Sequence, residues 1–256
     1  MAYSRLPMKD PRTVAVDNPG VFDSIFPQLT AGVSAYFNKN RVTYSELEAI
    51  PLDVVQESSL KRTMLFEIAY ARGEQILKGE EKEGWEVCLE LAIARQARHY
   101  DVTTPEKVTE KDYAIADHCG RNLASMLNSI KSNKSASQVI HAPEISGFQW
   151  ISSSVGDSAI TDNLIEVKCT SRNFGSADYR QVLMYWILSY AASIANGTPE
   201  WKTAILLNPR LNHQVELPFD EIIRVTSAGK TKVEILELFT SMVGDYALKA
   251  LPGFKL

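Results

Sequence analysis

The hydrophobic period of this chain changes at a short polar segment, residues 131–137 (KSNKSAS). Ahead of that segment, apolar residues recur at helical spacing. Behind it stand short apolar runs bounded by turn residues, then a long helical pattern at residues 177–195 and one more apolar run at residues 201–207. This order of helix, three or four strands, helix and strand predicts an α/β fold with helices in front of it.

Three parts of the chain are expected from this order. Residues 1–105 form an N-terminal helical region, residues 106–225 form the α/β core, and residues 226–256 carry a C-terminal helix packed on the core. We interpret residues 1–53 as loops with short helices that take no part in chemistry. Mostly antiparallel strands are predicted before the long helix at residues 139–140, 148–151, 158–160 and 164–167.

The bulk composition excludes several classes of protein. A chain of 256 residues with 45% hydrophobic content can bury a sizeable core. The formal net charge of −4 argues against a protein that coats nucleic acid by bulk charge, although a local basic face is compatible with it. The N-terminal residues lack the apolar run of a signal peptide, and no apolar stretch reaches the roughly 18 residues of a membrane span. We therefore expect a cytoplasmic protein without a membrane partner.

The three cysteines, Cys88, Cys119 and Cys169, are separated by long and irregular intervals. An odd number at such spacing predicts neither a disulfide framework nor a zinc or iron–sulfur site, and we expect buried, reduced thiols. The four histidines show no paired metal-ligand spacing either. The sequence therefore offers no recognisable thiol or imidazole metal site.

The residues best suited to chemistry lie between residues 156 and 185. Asp157 precedes a predicted strand that carries Glu166, Val167 and Lys168. Residues two apart in a strand point to the same side, so Glu166 and Lys168 share a face. A carboxylate and an ammonium group beside each other near a strand end are costly to bury unless something uses them.

Hydrolysis of a phosphodiester would use this arrangement. The attacked phosphate needs a divalent cation, and Mg²⁺ or Mn²⁺ prefers oxygen ligands from one or two carboxylates together with water. Asp157 and Glu166 supply the carboxylates, and the main-chain carbonyl of Val167 is a candidate third ligand. Lys168 is then placed to hold or deprotonate the attacking water and to balance negative charge.

Two further patterns support this prediction. The turn at Asp162 and Asn163 makes a hairpin that brings Asp157 towards Glu166. The following helix carries Gln181 and Tyr185 at the i, i+4 spacing that places both on one helical face.

The combined pattern resembles the PD-(D/E)XK, or restriction-endonuclease-like, nuclease superfamily. Its acid followed by Glu-x-Lys is matched by Asp157 and Glu166-Val167-Lys168, and Gln181-x-x-x-Tyr185 is similar to the QxxxY motif of the RecB-type branch. The resemblance covers about residues 110–210. It implies a restriction-endonuclease-like core and a Mg²⁺-dependent deoxyribonuclease in which Gln181 and Tyr185 order the site and contact the DNA backbone.

The same resemblance suggests a biological setting. Nucleases of this branch include recombinational helicase–nuclease domains and CRISPR-associated exonucleases. We therefore expect DNA as a partner, together with another protein subunit such as a helicase, in antiphage defence or in repair and recombination. Some members bind an iron–sulfur cluster through a cysteine set that this chain lacks, so no cluster is expected. Ala71-Arg72-Gly73 is similar to a helical motif of the branch.

Several alternatives stay open at the level of the sequence. Glu166 and Lys168 could form a surface salt bridge on an edge strand, and Asp162 is a second candidate for the first acid. The chain could also be a non-catalytic nucleic-acid-binding or assembly subunit with a nuclease-like fold. A decoy triplet, Glu80-Glu81-Lys82, fits Glu-x-Lys within a charged turn.

Other polar residues are weaker candidates. The resemblance implies that Asp117 and His118, on the helix before the strands, could reach the site, because that helix often does in the superfamily; solvated or capping roles are the alternative. Arg172, Arg180 and Arg210 are candidate phosphate contacts.

Overall fold

The computed structural model describes residues 8–17, 19–82, 84–97 and 104–249. The parts of the predicted terminal regions at residues 1–7, 98–103 and 250–256 lie outside this description. The described residues form a mixed α/β fold with ten α-helices and eight strands. The helices are α1 Pro11–Asp17, α2 Pro19–Ile25, α3 Ala31–Phe37, α4 Leu52–Gln56, α5 Arg62–Lys78, α6 Trp85–Gln96, α7 Glu110–Asn133, α8 Ser176–Asn196, α9 Phe219–Thr226 and α10 Lys232–Lys249.

A mixed six-stranded sheet forms the centre of the fold, in the order β1-β8-β7-β6-β5-β2. Strands β6 and β7 are parallel, and the other neighbouring pairs are antiparallel. Helix α8 connects the two parallel strands, as a crossover between parallel neighbours requires. The strands are β1 Arg41–Thr43, β2 Ile140–His141, β3 Glu144–Ile145, β4 Ser154–Val155, β5 Ser158–Ile160, β6 Asn163–Val167, β7 Thr203–Asn208 and β8 His213–Pro218.

Helices cover both faces of the sheet. Leu164 of β6 and Leu206 of β7 belong to the hydrophobic cluster that contains the buried face of α8. Ile165 and Ile205, their neighbours in sequence, belong to the cluster formed with α7. Because successive residues of a strand point to opposite sides, β6 is buried on both faces. Its alternate residues therefore bring polar groups such as Glu166 into the interior between the sheet and α8.

One predicted strand is wrong. Residues 148–151 do not extend into a strand but reverse direction, with reciprocal main-chain hydrogen bonds of 2.9 Å between Phe148 and Ile151 and a positive φ of 52° at Gln149. Their apolar side chains pack into the core from this turn, and Trp150 Nε1 donates to the carbonyl oxygen of Val243 at 2.8 Å. Burial against α10 explains the apolar run that the sequence analysis interpreted as a strand.

The N-terminal helices pack on the same core as α8. Val14 and Ala15 of α1 and Phe22 of α2 lie in one hydrophobic cluster with the buried residues of α8 and α10. The main chain at Lys9 is held by a hydrogen bond of its amide to the carbonyl oxygen of Trp150 at 3.1 Å. These contacts fix α1 against the end of α8 that carries Gln181.

Helices α5 and α7 pack at unusually short range. A Cβ atom added to Gly120 would lie 2.8 Å from the carbonyl oxygen of Ala69, and one added to Gly73 would lie 3.1 Å from the carbonyl oxygen of Gly120. Only glycine permits this approach of the two backbones. The Ala71-Arg72-Gly73 segment therefore has a packing role, and Tyr70, directly before it, lies 2.9 Å from Ser158 of β5 through its hydroxyl. None of the helices in the described ranges is long and apolar enough to cross a membrane.

Candidate active site

Glu166 is the centre of the polar cluster between the sheet and α8. Its side chain is 0% exposed. Oε1 accepts hydrogen bonds from Lys168 Nζ at 2.8 Å, Gln181 Nε2 at 2.7 Å and Arg12 Nη2 at 3.3 Å. Oε2 is buried and meets no hydrogen-bond donor within the described chain. The interpretation as a surface salt bridge on an edge strand is wrong, because β6 lies between β5 and β7 inside the sheet.

Asp157 meets the Glu166 strand across the β5–β6 hairpin. Its Oδ2 accepts a hydrogen bond from the main-chain N–H of Val167 at 2.7 Å. Removal from water and the negative charge of Glu166 raise the pKa of Asp157 to about 7, while the charges of Arg12 and Lys168 act in the opposite sense. Burial and the repulsion between the two acids therefore outweigh the stabilisation that the two cations give to the charged form of Asp157.

The hairpin decides which acid joins this pair. Ile160 pairs with Asn163, so the tight turn consists of Thr161, with a φ of 53°, and Asp162. The carboxylate of Asp162 is exposed in that turn and accepts hydrogen bonds from Thr161 and Asn163. The register Ser158↔Ile165, extended by one residue, sets Asp157 opposite Glu166. Asp157 is thus the acid that the geometry brings to the site.

Helix α8 supplies the side chains that orient Lys168. The Nζ atom of Lys168 donates to Gln181 Oε1 at 2.7 Å as well as to Glu166. The amide nitrogen of Gln181 donates to Glu166 Oε1 and to Tyr185 OH at 3.0 Å. The predicted i, i+4 pair therefore forms a continuous chain of hydrogen bonds. The Tyr185 side chain is 1% exposed, so its expected contact with the DNA backbone is not available, and its position suits the ordering of Gln181.

Arg12 is the cluster residue that the sequence analysis missed. It lies on α1, in the segment interpreted as having no part in chemistry, and contacts Glu166 across 154 residues of sequence. Burial alone would lower the pKa of Arg12, but the charges of Glu166 and Asp157 outweigh burial and raise it. No local pattern marks this arginine, since it reaches the site through the packing of α1 on α8.

A cavity of about 370 Å³ opens beside the acid pair and is lined by Asp157, Val167 and Lys168 together with residues of α5. Tyr70 of α5 donates from its hydroxyl to the carbonyl oxygen of Asp157 at 2.6 Å. Glu67, one turn earlier, also lines the cavity; burial raises its pKa, against the charges of Arg95 and Arg12. Helix α5 therefore contributes the tyrosine and the carboxylate that sequence reasoning did not find.

Several predicted residues lie away from the cluster. Asp117 pairs with Arg72 and Arg121 on the surface of α5 and α7, and His118 contacts the carbonyl oxygen of Glu48. These two residues do not reach the acids.

The three candidate phosphate contacts are also separate from the cavity. Arg172 is largely exposed and lies 3.8 Å from Asp178 at the start of α8. Arg210 is buried, and its Nε donates to the carbonyl oxygen of Ile50, which is a structural role. Arg180 is half-buried on α8 and is not among the residues that line the cavity.

The acid pair is the part of the site that could hold a metal ion. Within the described ranges, no group of three or more His, Cys, Asp and Glu side chains is placed to bind a metal. Mg²⁺ commonly uses one or two carboxylates and keeps water as its other ligands. The buried, unpartnered Oε2 atom of Glu166, beside a second acid of raised pKa, fits a divalent cation. The carbonyl of Val167 stays a predicted further ligand.

Comparison with known proteins does not assign this arrangement to a family. No family model, curated protein or solved structure is significantly similar to this chain. The function must therefore be argued from the geometry of the site.

Proposed function

We propose that this protein is a Mg²⁺-dependent nuclease that hydrolyses phosphodiester bonds of DNA at Asp157, Glu166 and Lys168. The observation that carries the proposal is the buried pair of acids with an unpartnered oxygen on Glu166 and an ammonium group 2.8 Å from its other oxygen. A protein without a use for this cluster would gain stability from apolar residues of similar size in its place.

The order of elements supports the proposal. Helix α7 is followed by the β5–β6 hairpin, by α8, and by β7 parallel to β6. This resembles the restriction-endonuclease-like core, in which the acid and the Glu-x-Lys segment also lie on hairpin strands. By this interpretation β6 is the strand that carries the catalytic Glu and Lys.

Each residue has a defined part in the proposed mechanism. Asp157 and Glu166 would bind the divalent cation, which supplies positive charge to the attacked phosphate and lowers the pKa of a coordinated water. Lys168, held by Gln181 and Glu166, positions the attacking water and donates a hydrogen bond from its ammonium group to the charge that develops on the phosphate. Tyr185 fixes the amide of Gln181 and thereby the direction of Lys168. Arg12 offsets the charge of the acids and later that of the pentacovalent phosphate.

A second candidate is a non-catalytic nucleic-acid-binding or assembly subunit with this fold. One observation favours it: Glu166 Oε1 already accepts three hydrogen bonds, two of them from cationic side chains. Internal ion pairs of this kind can neutralise a carboxylate without a metal ion. In either case the proposed partners are DNA and another protein subunit such as a helicase.

Metal-dependent cleavage tests the two functions against each other. Purified protein is incubated with plasmid, linear and single-stranded DNA and with RNA, in Mg²⁺, Mn²⁺ or EDTA. The enzyme hypothesis predicts that Glu166→Ala and Lys168→Ala each lower the rate about 100-fold or more. Matched controls are Glu80→Ala and Lys82→Ala in the exposed decoy triplet, which should cleave like the wild type. Equal traces of activity in all five proteins would indicate contamination and favour the binding subunit.

A further inference from the structure

Three buried N–H donors on the wall of the cavity have no acceptor within the described chain. They are Arg12 Nε, Arg95 Nη1 and Gln96 Nε2, and all three residues line the cavity next to the acid pair. Buried donors without acceptors are rare because they lose their hydrogen bonds to water and gain none in return. Three such donors around one cavity indicate a ligand rich in acceptor oxygens.

The guanidinium group of Arg95 is held in place by its other contacts. Its Nη2 atom donates to Glu74 Oε2 at 2.5 Å, and its Cζ atom lies 4.8 Å from the centroid of the Tyr70 ring. His141 approaches the same carboxylate at 3.4 Å. Since the Tyr70 hydroxyl donates to the carbonyl oxygen of Asp157, Arg95 is connected to the acid pair through a single aromatic ring.

The chemistry of these donors identifies the class of ligand. The Nη1 atom of the planar Arg95 guanidinium and the amide nitrogen of Gln96 can both donate hydrogen bonds to the oxygens of a phosphate group. The cavity volume of about 370 Å³ lies within the usual size of small-ligand sites. Resting on the proposed nuclease function, we infer that Arg95 and Gln96 bind a phosphate group of the nucleic-acid strand that is cut at Asp157 and Glu166. This substrate contact lies on α6, outside the Glu-x-Lys strand and the helix that follows it.

Binding of short oligodeoxynucleotides tests this inference. Fluorescence anisotropy is measured in EDTA and in Ca²⁺ with probes of one sequence that end in a 5′-phosphate, a 3′-phosphate or hydroxyl groups. Gln96→Met removes an unpartnered donor and should leave the thermal unfolding midpoint unchanged. Arg95→Gln also leaves Glu74 without its arginine, so Gln96→Met is the variant on which the test depends if Arg95→Gln does not fold. Arg121→Gln, on the surface of α7, is the matched control.

The expected result is a loss of about tenfold in affinity for Gln96→Met and at least as much for Arg95→Gln, with Arg121→Gln like the wild type. A preference of the wild type for one phosphorylated end, lost in Gln96→Met, assigns the site to a terminal phosphate. Equal loss for all three probes assigns it to an internal phosphodiester. Affinities of both variants equal to the wild type would overturn the phosphate site while leaving the nuclease proposal intact. A wild-type protein that binds none of the probes and cleaves no nucleic acid would overturn both.

Discussion

Two buried aspartates in this protein have opposite electrostatic environments. Asp112, at the start of α7, accepts hydrogen bonds from both serines that precede α5 and from the main chain and side chain of Thr109. Burial alone would raise the pKa of Asp112, but these hydrogen bonds lower it to about 2. Asp157 has one hydrogen bond from the main chain, and burial with the charge of Glu166 raises its pKa to about 7.

The difference shows what separates a structural carboxylate from a candidate ligand. Both aspartates are removed from water, so burial does not decide the sign of the pKa shift. The donors and the neighbouring charges decide it: hydrogen bonds stabilise the charged form of Asp112, whereas the charge of Glu166 destabilises the charged form of Asp157. At Asp112 the protein supplies hydrogen-bond donors to both carboxylate oxygens, and these bonds connect α7 to the segment before α5. At Asp157 the protein supplies one donor, and a bound cation would stabilise the charged form of the carboxylate further.

The largest expected effect is the loss of stability in Asp112→Ala. The substitution leaves the hydroxyl groups of Ser58, Ser59 and Thr109 without their acceptor, so the free energy of unfolding should fall by about 3 kcal/mol. Urea denaturation followed by circular dichroism measures the change. Glu110→Ala, exposed on the same helical turn, is the control and should stay within about 0.5 kcal/mol of the wild type. An unchanged urea midpoint for Asp112→Ala would show that the cluster does not anchor α7.

The pH dependence of stability should also distinguish the two aspartates. Because the folded-state pKa of Asp112 is depressed to about 2, its contribution is present above about pH 4 and is lost as the pH falls towards 2. Between pH 4 and pH 2, the free energy of unfolding of the wild type should fall by about 2 kcal/mol more than that of Asp112→Asn. Denaturant midpoints measured at each pH test this. Parallel curves for the two proteins would contradict the depressed pKa.

The sequence predicts a contact in these two sites only where the interacting residues are close together along the chain. Glu166 with Lys168, and Gln181 with Tyr185, were predictable because strand and helix periods place residues two and four apart on one side. The hairpin brought Asp157 to them through a two-residue turn. The capping box of Thr109 with Asp112 is local in the same sense, because its two residues stand three apart at the start of a helix. Local geometry was sufficient for each of these contacts.

Contacts between distant elements could not be predicted in this way. Arg12 reaches Glu166 through packing of α1 on α8, and Tyr70 reaches Asp157 through the close approach of α5. Neither residue belongs to a pattern with the residue it contacts. The two serines that bind Asp112 lie more than 50 residues before it, so the contrast between the aspartates is visible only in three dimensions.

An effect of the opposite sign is expected for Asp157→Asn. A folded-state pKa raised to about 7 means that stability linked to protonation of Asp157 is fully present below about pH 4 and is lost as the pH rises through 7. At pH 8 in EDTA, the free energy of unfolding of Asp157→Asn should therefore exceed that of the wild type, and the two values should converge below pH 4. The exposed Asp162→Asn is the control. Mg²⁺ should raise the thermal unfolding midpoint of the wild type and not that of Asp157→Asn. If Asp157→Asn were less stable than the wild type at pH 8, the raised pKa of Asp157 would be contradicted.

The smallest effect concerns two thiols that link the regions of Asp112 and Asp157. Cys119 lies on α7, the helix that Asp112 anchors, and Cys169 follows Lys168 and lines the cavity; their Sγ atoms are 3.7 Å apart. Formation of a disulfide needs the two sulfur atoms to approach to about 2 Å, and hydrogen peroxide should then oxidise the thiols and be reduced to water. The reaction should be slow, because the hydrogen bond with Cys119 and burial raise the pKa of Cys169 and disfavour its thiolate. Intact-mass and peptide analysis detect the loss of two hydrogen atoms, and Cys169→Ser is the control. In Asp112→Ala the bond should form more slowly, because a loosened α7 holds Cys119 less often beside Cys169. An equal rate in the two proteins would mean that the donors around Asp112 stabilise the junction of α5 and α7 without positioning the wall of the cavity.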